Sequence, residues 1–270
     1  LYLLGSGDIN AYVDFFDNID IYTTFNEYSI RGDGVFRLTV VFLSDFFNLE
    51  ILTVLSALAF IMSTTIFSIY LNKIKSGKYL VYILPVFILV FLTPMVANLF
   101  ASGIRSGIAF TILTIAILHS RGIVRISLFV LSGLIHLSML PIIAMFFLFY
   151  SLQKIRIRSP FIIPLFILSS FTLLIALGSY LFGFNVTKVS SSAFFNTVIF
   201  CLALLLIFTN KKSIRNIFGF LSIGLILIYL FGLLIDLSFI RYVGNAIIFY
   251  LLFLIERGGK ETIQVFTFGY

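Results

Sequence analysis

Long apolar runs separated by short basic connectors constrain the fold of this 270-residue chain more than any other feature. The runs are about 16 to 25 residues long, which suits helices that cross a hydrocarbon core about 30 Å thick. They lack the alternation of apolar and polar residues expected of an outer-membrane barrel. Charged residues make up 11% of the chain, against about 25% in soluble domains. The sequence therefore predicts an all-α, polytopic integral membrane protein with about 9–10 membrane helices.

The net charge of +7 is concentrated in the connectors. Thirteen of the 18 Lys and Arg residues lie in five of them: Lys73, Lys75, Lys78; Arg121, Arg125; Lys154, Arg156, Arg158; Lys211, Lys212, Arg215; and Arg257, Lys260. By the positive-inside rule these connectors are cytoplasmic, and nine of the 11 acidic residues then lie on the opposite side. The basic excess reflects topology, so we expect no nucleic-acid partner.

We expect one transmembrane domain over residues 1–270. Its predicted parts are a first helix whose start is truncated before residue 1, an outer segment at 5–34, an interfacial or re-entrant helix at 35–48, membrane helices between 50 and 256, and a cytoplasmic tail at 257–270. The individual spans are predicted at 50–71, 79–98, 104–119, 160–183, 193–209, 216–235 and from about 241 to 256.

A straight helix over 126–150 would place Lys154 and the connector that follows it outside, against the charge pattern. A broken hairpin that rises to His136 and turns near Pro141 returns the chain to the cytoplasm. Broken helices at membrane depth are tolerated where they are buried in protein or line a watered cavity, and such places often bind substrate. The sequence therefore predicts a helix break beside His136.

Arg105 and His136 are costly in an apolar sequence, because an ion or imidazole in hydrocarbon requires a partner or a watered cavity. The 16-residue span 104–119 would be about 24 Å long, shorter than the hydrocarbon core, so Arg105 is expected below the outer interface. Gly103 and Gly107 form a G-x-x-x-G pair that would allow close helix packing at that depth.

Several polar residues are predicted at the outer face or at membrane depth: Asp8, Tyr12, Arg31, Asp33, Arg37, Arg105, His136 and Arg241. Arginines that converge on a cavity would suit a phosphate or diphosphate, and a histidine or aspartate could deprotonate an attacking hydroxyl. Arg241 has an alternative structural partner in Asp236. We predict no metal site and no cofactor, and a solvated acidic face is the preferred interpretation of Asp14, Asp17 and Asp20.

Five short motifs resemble those of the EpsG-like branch of Wzy-type bacterial polysaccharide polymerases. They are Asp8-x-x-x-Tyr12, D-G-V-F-x-L at 33–38, I-R-S-G-I-A at 104–109, L-I-H-L-S at 134–138, and Arg241-Tyr242 at the start of the last span. The chain departs from the family pattern at Ser102, Ser106 and Asp33, where Asn, Gln and Glu are frequent in the family.

The resemblance implies a metal-independent glycosyltransferase of the bacterial inner membrane, active at its periplasmic or extracellular face. It would transfer a growing glycan from undecaprenyl diphosphate to a lipid-linked repeat unit. Arg105 and Arg241 would hold the donor diphosphate, and His136 or Asp8 would act as base or orient the acceptor. Among the polar residues predicted at the outer face, the further candidates for substrate binding are Arg37, Tyr12, Asp33 and Arg31. The implied partners are undecaprenyl-diphosphate-linked oligosaccharides, the lipid bilayer, a chain-length regulator and a flippase.

Three other functions remain open at this point. A transporter or flippase of lipid-linked oligosaccharide would also use broken helices and buried charges, although such proteins often contain two related halves. A sugar O-acyltransferase would likewise need a histidine within the membrane. The third is a purely structural membrane subunit.

Overall fold

A computed structural model describes residues 34–73, 88, 103–155, 216–234 and 240–256 of the chain. Within these residues the secondary structure is helical and contains no strand, which confirms the all-α prediction for this part of the chain. The helices are α1 (Gly34–Phe47), α2 (Ile51–Lys73), α3 (Ile104–His119), α4 (Gly122–Ile135), a 3₁₀ helix (Leu137–Met139), α5 (Leu140–Ile155), α6 (Ile217–Leu234) and α7 (Ile240–Glu256).

The bounds of these helices follow the apolar runs closely. The predicted helices at 35–48, 50–71, 216–235 and about 241–256 are each found within two residues of the expected ends, and α3 coincides with the predicted span. The predicted spans at 79–98, 160–183 and 193–209 fall largely or wholly outside the described residues, as do the outer segment before residue 34 and the tail after residue 256.

One described helix, α2, is long and apolar enough to cross a membrane by length and composition. Residues Ile51–Asn72 form a stretch of 22 residues with a mean hydropathy of 2.0. Only 22% of the most apolar part of this stretch is buried. Apolar residues such as Phe60, at 70% exposure, cover its surface. Five other apolar helical stretches of the described chain are shorter than 18 residues.

The described residues fall into two compact units. The first contains α1, α2 up to Asn72, α3, α4, the 3₁₀ helix and the start of α5; the second contains the rest of α5 together with α6 and α7. In the first unit, α4 packs against both α3 and α1, and the 3₁₀ helix packs against α3 and α4.

A two-residue turn, Ser120 and Arg121, joins α3 to α4. Gly122, the first residue of α4, has a φ of +55°, a left-handed conformation that a residue with a Cβ adopts only at a cost. Glycine at this position therefore allows the chain to reverse within so short a turn.

In the second unit, α6 and α7 form an antiparallel pair. Asn216 precedes α6, and its Oδ1 accepts hydrogen bonds from the backbone N–H groups of Phe218 at 2.8 Å and Gly219 at 3.4 Å. Its Nδ2 donates to a carboxylate oxygen of Glu256, the last residue of α7, at 3.0 Å. One asparagine thus caps the start of α6 and ties it to the end of α7.

Candidate functional site

Two side-chain hydrogen bonds fix the register of the α3–α4 hairpin. The Ser132 hydroxyl donates to the carbonyl of Ala109 at 2.7 Å, and Nε of Arg125 donates to the carbonyl of Ala116 at 3.1 Å. Seven residues separate the two contacts on each helix, in opposite chain directions. The helices therefore run antiparallel in step over about two turns.

This register brings Arg105 and His136 to one level of the hairpin. Arg105 lies four residues before Ala109, and His136 lies four residues after Ser132. Since each helix advances about 6 Å over four residues, both residues lie about one turn beyond the Ser132–Ala109 bond, at the end opposite the turn. The two residues singled out for their cost in apolar sequence thus lie at the same level along the hairpin.

The predicted helix break is found, and it lies at His136. Its backbone is extended, with φ −153° and ψ 113°, although its N–H still donates to the Ser132 carbonyl at 3.0 Å. The 3₁₀ helix follows, and the Met139 N–H donates to the His136 carbonyl at 3.0 Å.

The expected turn near Pro141 starts about five residues earlier than predicted. Pro141 is the second residue of α5, where its missing N–H leaves no helical hydrogen bond unmade. A Cβ built on Gly133 would lie 3.1 Å from Cδ2 of Leu140 and 4.0 Å from Cδ1 of Ile143. Residues ten apart in a straight helix would be about 15 Å apart, so the chain bends sharply after the break. α4 and α5 are not among the helix pairs with extensive contacts in the described chain, so the predicted hairpin in which α5 runs back along α4 stays a prediction.

Polar atoms of three predicted site residues are buried in the first unit. They are Nη1 of Arg37 in α1, Nε of Arg105 in α3 and Nε2 of His136 at the end of α4. Each residue as a whole is only partly buried. Burial of these polar atoms removes water from around them, which strengthens any electrostatic interaction that the two arginines make.

Arg105 and Arg241 share an unfavourable position for a cation. Each is the second residue of its helix, at the positive end of the helix dipole, and neither first turn contains an acidic residue. A cation there is typically destabilising by about 0.3–1 kcal/mol, whereas an anion is stabilised by the helix dipole. The backbone at both helix starts therefore favours a negative charge over a positive one.

The remaining predicted site residues differ in what the structure says of them. Arg241 lies in α7, in the second unit. Asp8, Tyr12, Arg31 and Asp33 lie outside the described residues, as do Asp14, Asp17 and Asp20. Their proposed roles stay predictions.

Two polar residues of the described helices were not singled out from the sequence. Ser132 is fully buried and sets the hairpin register, but a serine in an apolar run gives no distinguishing signal. Asn245 in α7 is 1% exposed, and neither Nδ2 nor Oδ1 hydrogen bonds to any residue that the structure describes. Like His136, Asn245 is a lone polar residue within an apolar span, so the same energetic cost would have marked it as a candidate.

Comparison with known proteins gives no relative. No protein-family model matches the chain, and neither the curated proteins nor the solved structures contain a significant match.

Proposed function

We propose that this chain is a polytopic inner-membrane glycosyltransferase that polymerises lipid-linked oligosaccharide repeat units at the outer face of the bacterial membrane. The observation that carries the proposal is the placement of Arg105 and His136 at one level of the α3–α4 hairpin, beside a helix break. A cation for the leaving group and a base for the nucleophile are the two groups that such a transfer requires.

The membrane part of the proposal rests on the exposed apolar helix surfaces. α2 has the length to cross a bilayer, and its outward side chains include Phe60 and Ile61. On α4, Ile123, Val130 and Leu134 are exposed on a helix whose other side packs on α3. Contiguous exposed apolar surface of this kind suits lipid rather than water.

Arg105 suits the diphosphate of a donor lipid. A guanidinium keeps its charge when partly buried and binds phosphate oxygens in a bidentate manner. The positive end of the α3 dipole adds to this charge, and the first turn contains no acidic residue that would oppose it. Negative charge accumulates on the diphosphate as it leaves, so these groups would stabilise the transition state more than the ground state.

His136 suits the proton transfer. In the proposed step, a hydroxyl oxygen of the acceptor sugar attacks the anomeric carbon of the donor glycan and forms the new glycosidic bond. The bond from that carbon to the diphosphate oxygen breaks, and its electron pair leaves with undecaprenyl diphosphate. The hydroxyl proton passes to a ring nitrogen of His136, with Asp8 as the other candidate base. No cofactor is required for this balance.

The test uses purified protein in detergent with lipid-linked repeat units, because a polymerase functions without two compartments and a flippase does not. Arg105→Ala and His136→Ala are each expected to abolish polymer. Arg121→Ala and His119→Ala provide matched controls, since they remove the same side chains from exposed positions at the opposite end of the same hairpin. The controls should make polymer of wild-type length.

Polymer of wild-type length from both site variants would refute the proposed roles. Failure of the wild-type protein to extend any glycan in detergent, combined with movement of lipid-linked units across proteoliposomes, would instead favour a flippase. An acyl group transferred to the sugar in place of a glycan would favour the O-acyltransferase.

A further inference from the structure

Asn245 is a buried amide whose hydrogen-bonding capacity is unmet within the described chain. The residue is 1% exposed, and both polar atoms of its side chain are fully buried without a hydrogen-bond partner among the residues that the structure describes. A buried carboxamide that loses its bonds to water is destabilising, and native structures rarely retain one without a reason.

The apolar surroundings of Asn245 increase the free-energy cost of burying its amide without hydrogen bonds. From Tyr242 to Ile255 every residue of α7 except Ile247 is buried, and Ile247 is itself partly buried, so the helix is enclosed on nearly all sides. The other residues of this stretch are apolar apart from the two tyrosines, Tyr242 and Tyr250. Apolar neighbours raise the cost of a polar group without partners.

The position of Asn245 along α7 points to the kind of ligand. It follows Arg241 by four residues, which in a helix places the two positions on adjacent turns of one face, about 6 Å apart along the axis. Arg241 lies in the first turn of α7, which contains no acidic residue. An arginine position, the positive end of a helix dipole and a buried amide donor thus occur within two turns of α7.

We propose that the first two turns of α7 bind the diphosphate of a lipid-linked substrate, and that Asn245 is a binding residue whose Nδ2 donates a hydrogen bond to a phosphate oxygen. The substrate class rests on the proposed function. The amide then gains a charge-assisted hydrogen bond, which is stronger than a bond between neutral groups. Because α7 is enclosed here, the proposal requires that the head group of the lipid enter laterally from the bilayer.

Equilibrium binding in nanodiscs tests this proposal independently of turnover. The probe is radiolabelled undecaprenyl diphosphate, with undecaprenol as the phosphate-free comparison and inorganic pyrophosphate as competitor. Asn245→Leu keeps a similar volume and removes the amide. Ser222→Ala is the control, because Ser222 is equally buried in α6 but donates within its own helix to the Phe218 carbonyl at 2.7 Å.

We expect Asn245→Leu to weaken binding of the diphosphate lipid by at least about tenfold, the effect typical of a lost bond to a charged group. Its melting temperature should equal or exceed that of the wild type, because no unmet amide is left in the core. Ser222→Ala should bind normally. Competition by pyrophosphate would mean that the protein binds the diphosphate group itself. Absence of competition would mean that it binds the diphosphate only when the lipid is attached.

Three results would overturn the proposal: no binding by the wild type, equal binding of undecaprenol, or wild-type affinity in Asn245→Leu, which would mean that a water satisfies the amide. If the leucine variant does not fold, Asn245→Ala in the same assay decides the question. Binding that depends on Asn245 in a protein without polymerase activity would refute the proposed function and leave this inference intact.

Discussion

The Ser132 hydroxyl donates a hydrogen bond across the α3–α4 hairpin to the Ala109 carbonyl at 2.7 Å, and this bond is one turn from Arg105 and from His136. The carbonyl already belongs to a helix, so the serine provides a second, interhelical bond to it. The bond therefore fixes the position of Arg105 relative to His136 along the hairpin axis. A shift of either helix along its axis would separate the two groups.

Ser132→Ala tests the contribution of this bond to stability. Interhelical hydrogen bonds in membrane proteins are worth on average about 0.6 kcal/mol, so we expect a loss of that size in the free energy of unfolding. Reversible unfolding in mixed micelles measures it. Ser222→Ala is the control, since the Ser222 bond stays within α6. Equal destabilisation by the two variants would show that the Ser132 bond has no special role.

The two glycines of the hairpin should respond differently to alanine. Gly122→Ala forces a residue with a Cβ into a φ of +55° and is expected to cost about 1–2 kcal/mol of folding free energy, although nothing lies within 4 Å of the added methyl group. Gly133→Ala has ordinary backbone geometry. Its Cβ would lie 3.1 Å from the end of the Leu140 side chain, which is partly exposed and can shift. A larger loss at Gly133 in the same unfolding assay would contradict this account.

Variants of Asn216 can distinguish the stability provided by its cap of α6 from that provided by its bond to Glu256. Asn216→Ala removes the cap of α6 and the bond to Glu256, and should cost about 1 kcal/mol or slightly more. Asn216→Asp retains an acceptor for the Phe218 N–H but replaces the donor to Glu256 with a second carboxylate. Combining each variant with Glu256→Gln in a double-mutant cycle isolates the Asn216–Glu256 term. A coupling energy near zero would mean that capping alone accounts for the effect of Asn216.

A lysine in place of Phe60 distinguishes a lipid-facing α2 from a water-facing one. At 70% exposure, Phe60→Lys would change stability by less than about 0.5 kcal/mol on a surface in water. In the middle of a membrane helix the same change costs about 2.5–3.5 kcal/mol. We expect a marked fall in the carbonate-resistant membrane fraction for Phe60→Lys and none for Phe60→Leu. Equal fractions for the two variants would argue against a membrane-spanning α2.

Cysteine labelling tests the predicted return of the chain to the cytoplasmic side after His136. In a Cys201→Ser background, Ser138→Cys should react with an impermeant maleimide applied to the outer face of intact cells. Ile155→Cys, at the end of α5, should react only after permeabilisation, because the basic connector after it is predicted to be cytoplasmic. Labelling of position 155 from outside would refute the predicted topology.

The sequence was most informative where one physical requirement dominates. The ends of α3 follow from the glycines and serines before it and the basic connector after it, and charge topology alone required a break near His136. It was less informative about how the break is made. Proline suggested the turn, but the chain turns earlier through an extended His136 and a 3₁₀ turn, and Pro141 fits into the next helix.

The candidate site was predictable in part for a similar reason. The energetic cost of Arg105 and His136 is visible in the sequence, but their common level depends on the Ser132–Ala109 contact between residues 23 positions apart, which no local pattern indicates. Asn245 was detectable by the same cost argument. Its lack of partners within the described chain depends on the packing of α7 and emerges only in three dimensions.

The two-residue turn at Ser120 and Arg121 also has a consequence for the order of folding. A short connection between adjacent antiparallel helices closes with little loss of chain entropy, and every contact that sets the hairpin register lies within 104–136. We expect this hairpin to assemble during synthesis, before the second half of the chain has emerged from the ribosome. The guanidinium and the imidazole would then be aligned early, and later helices would be added around a pair that is already in place.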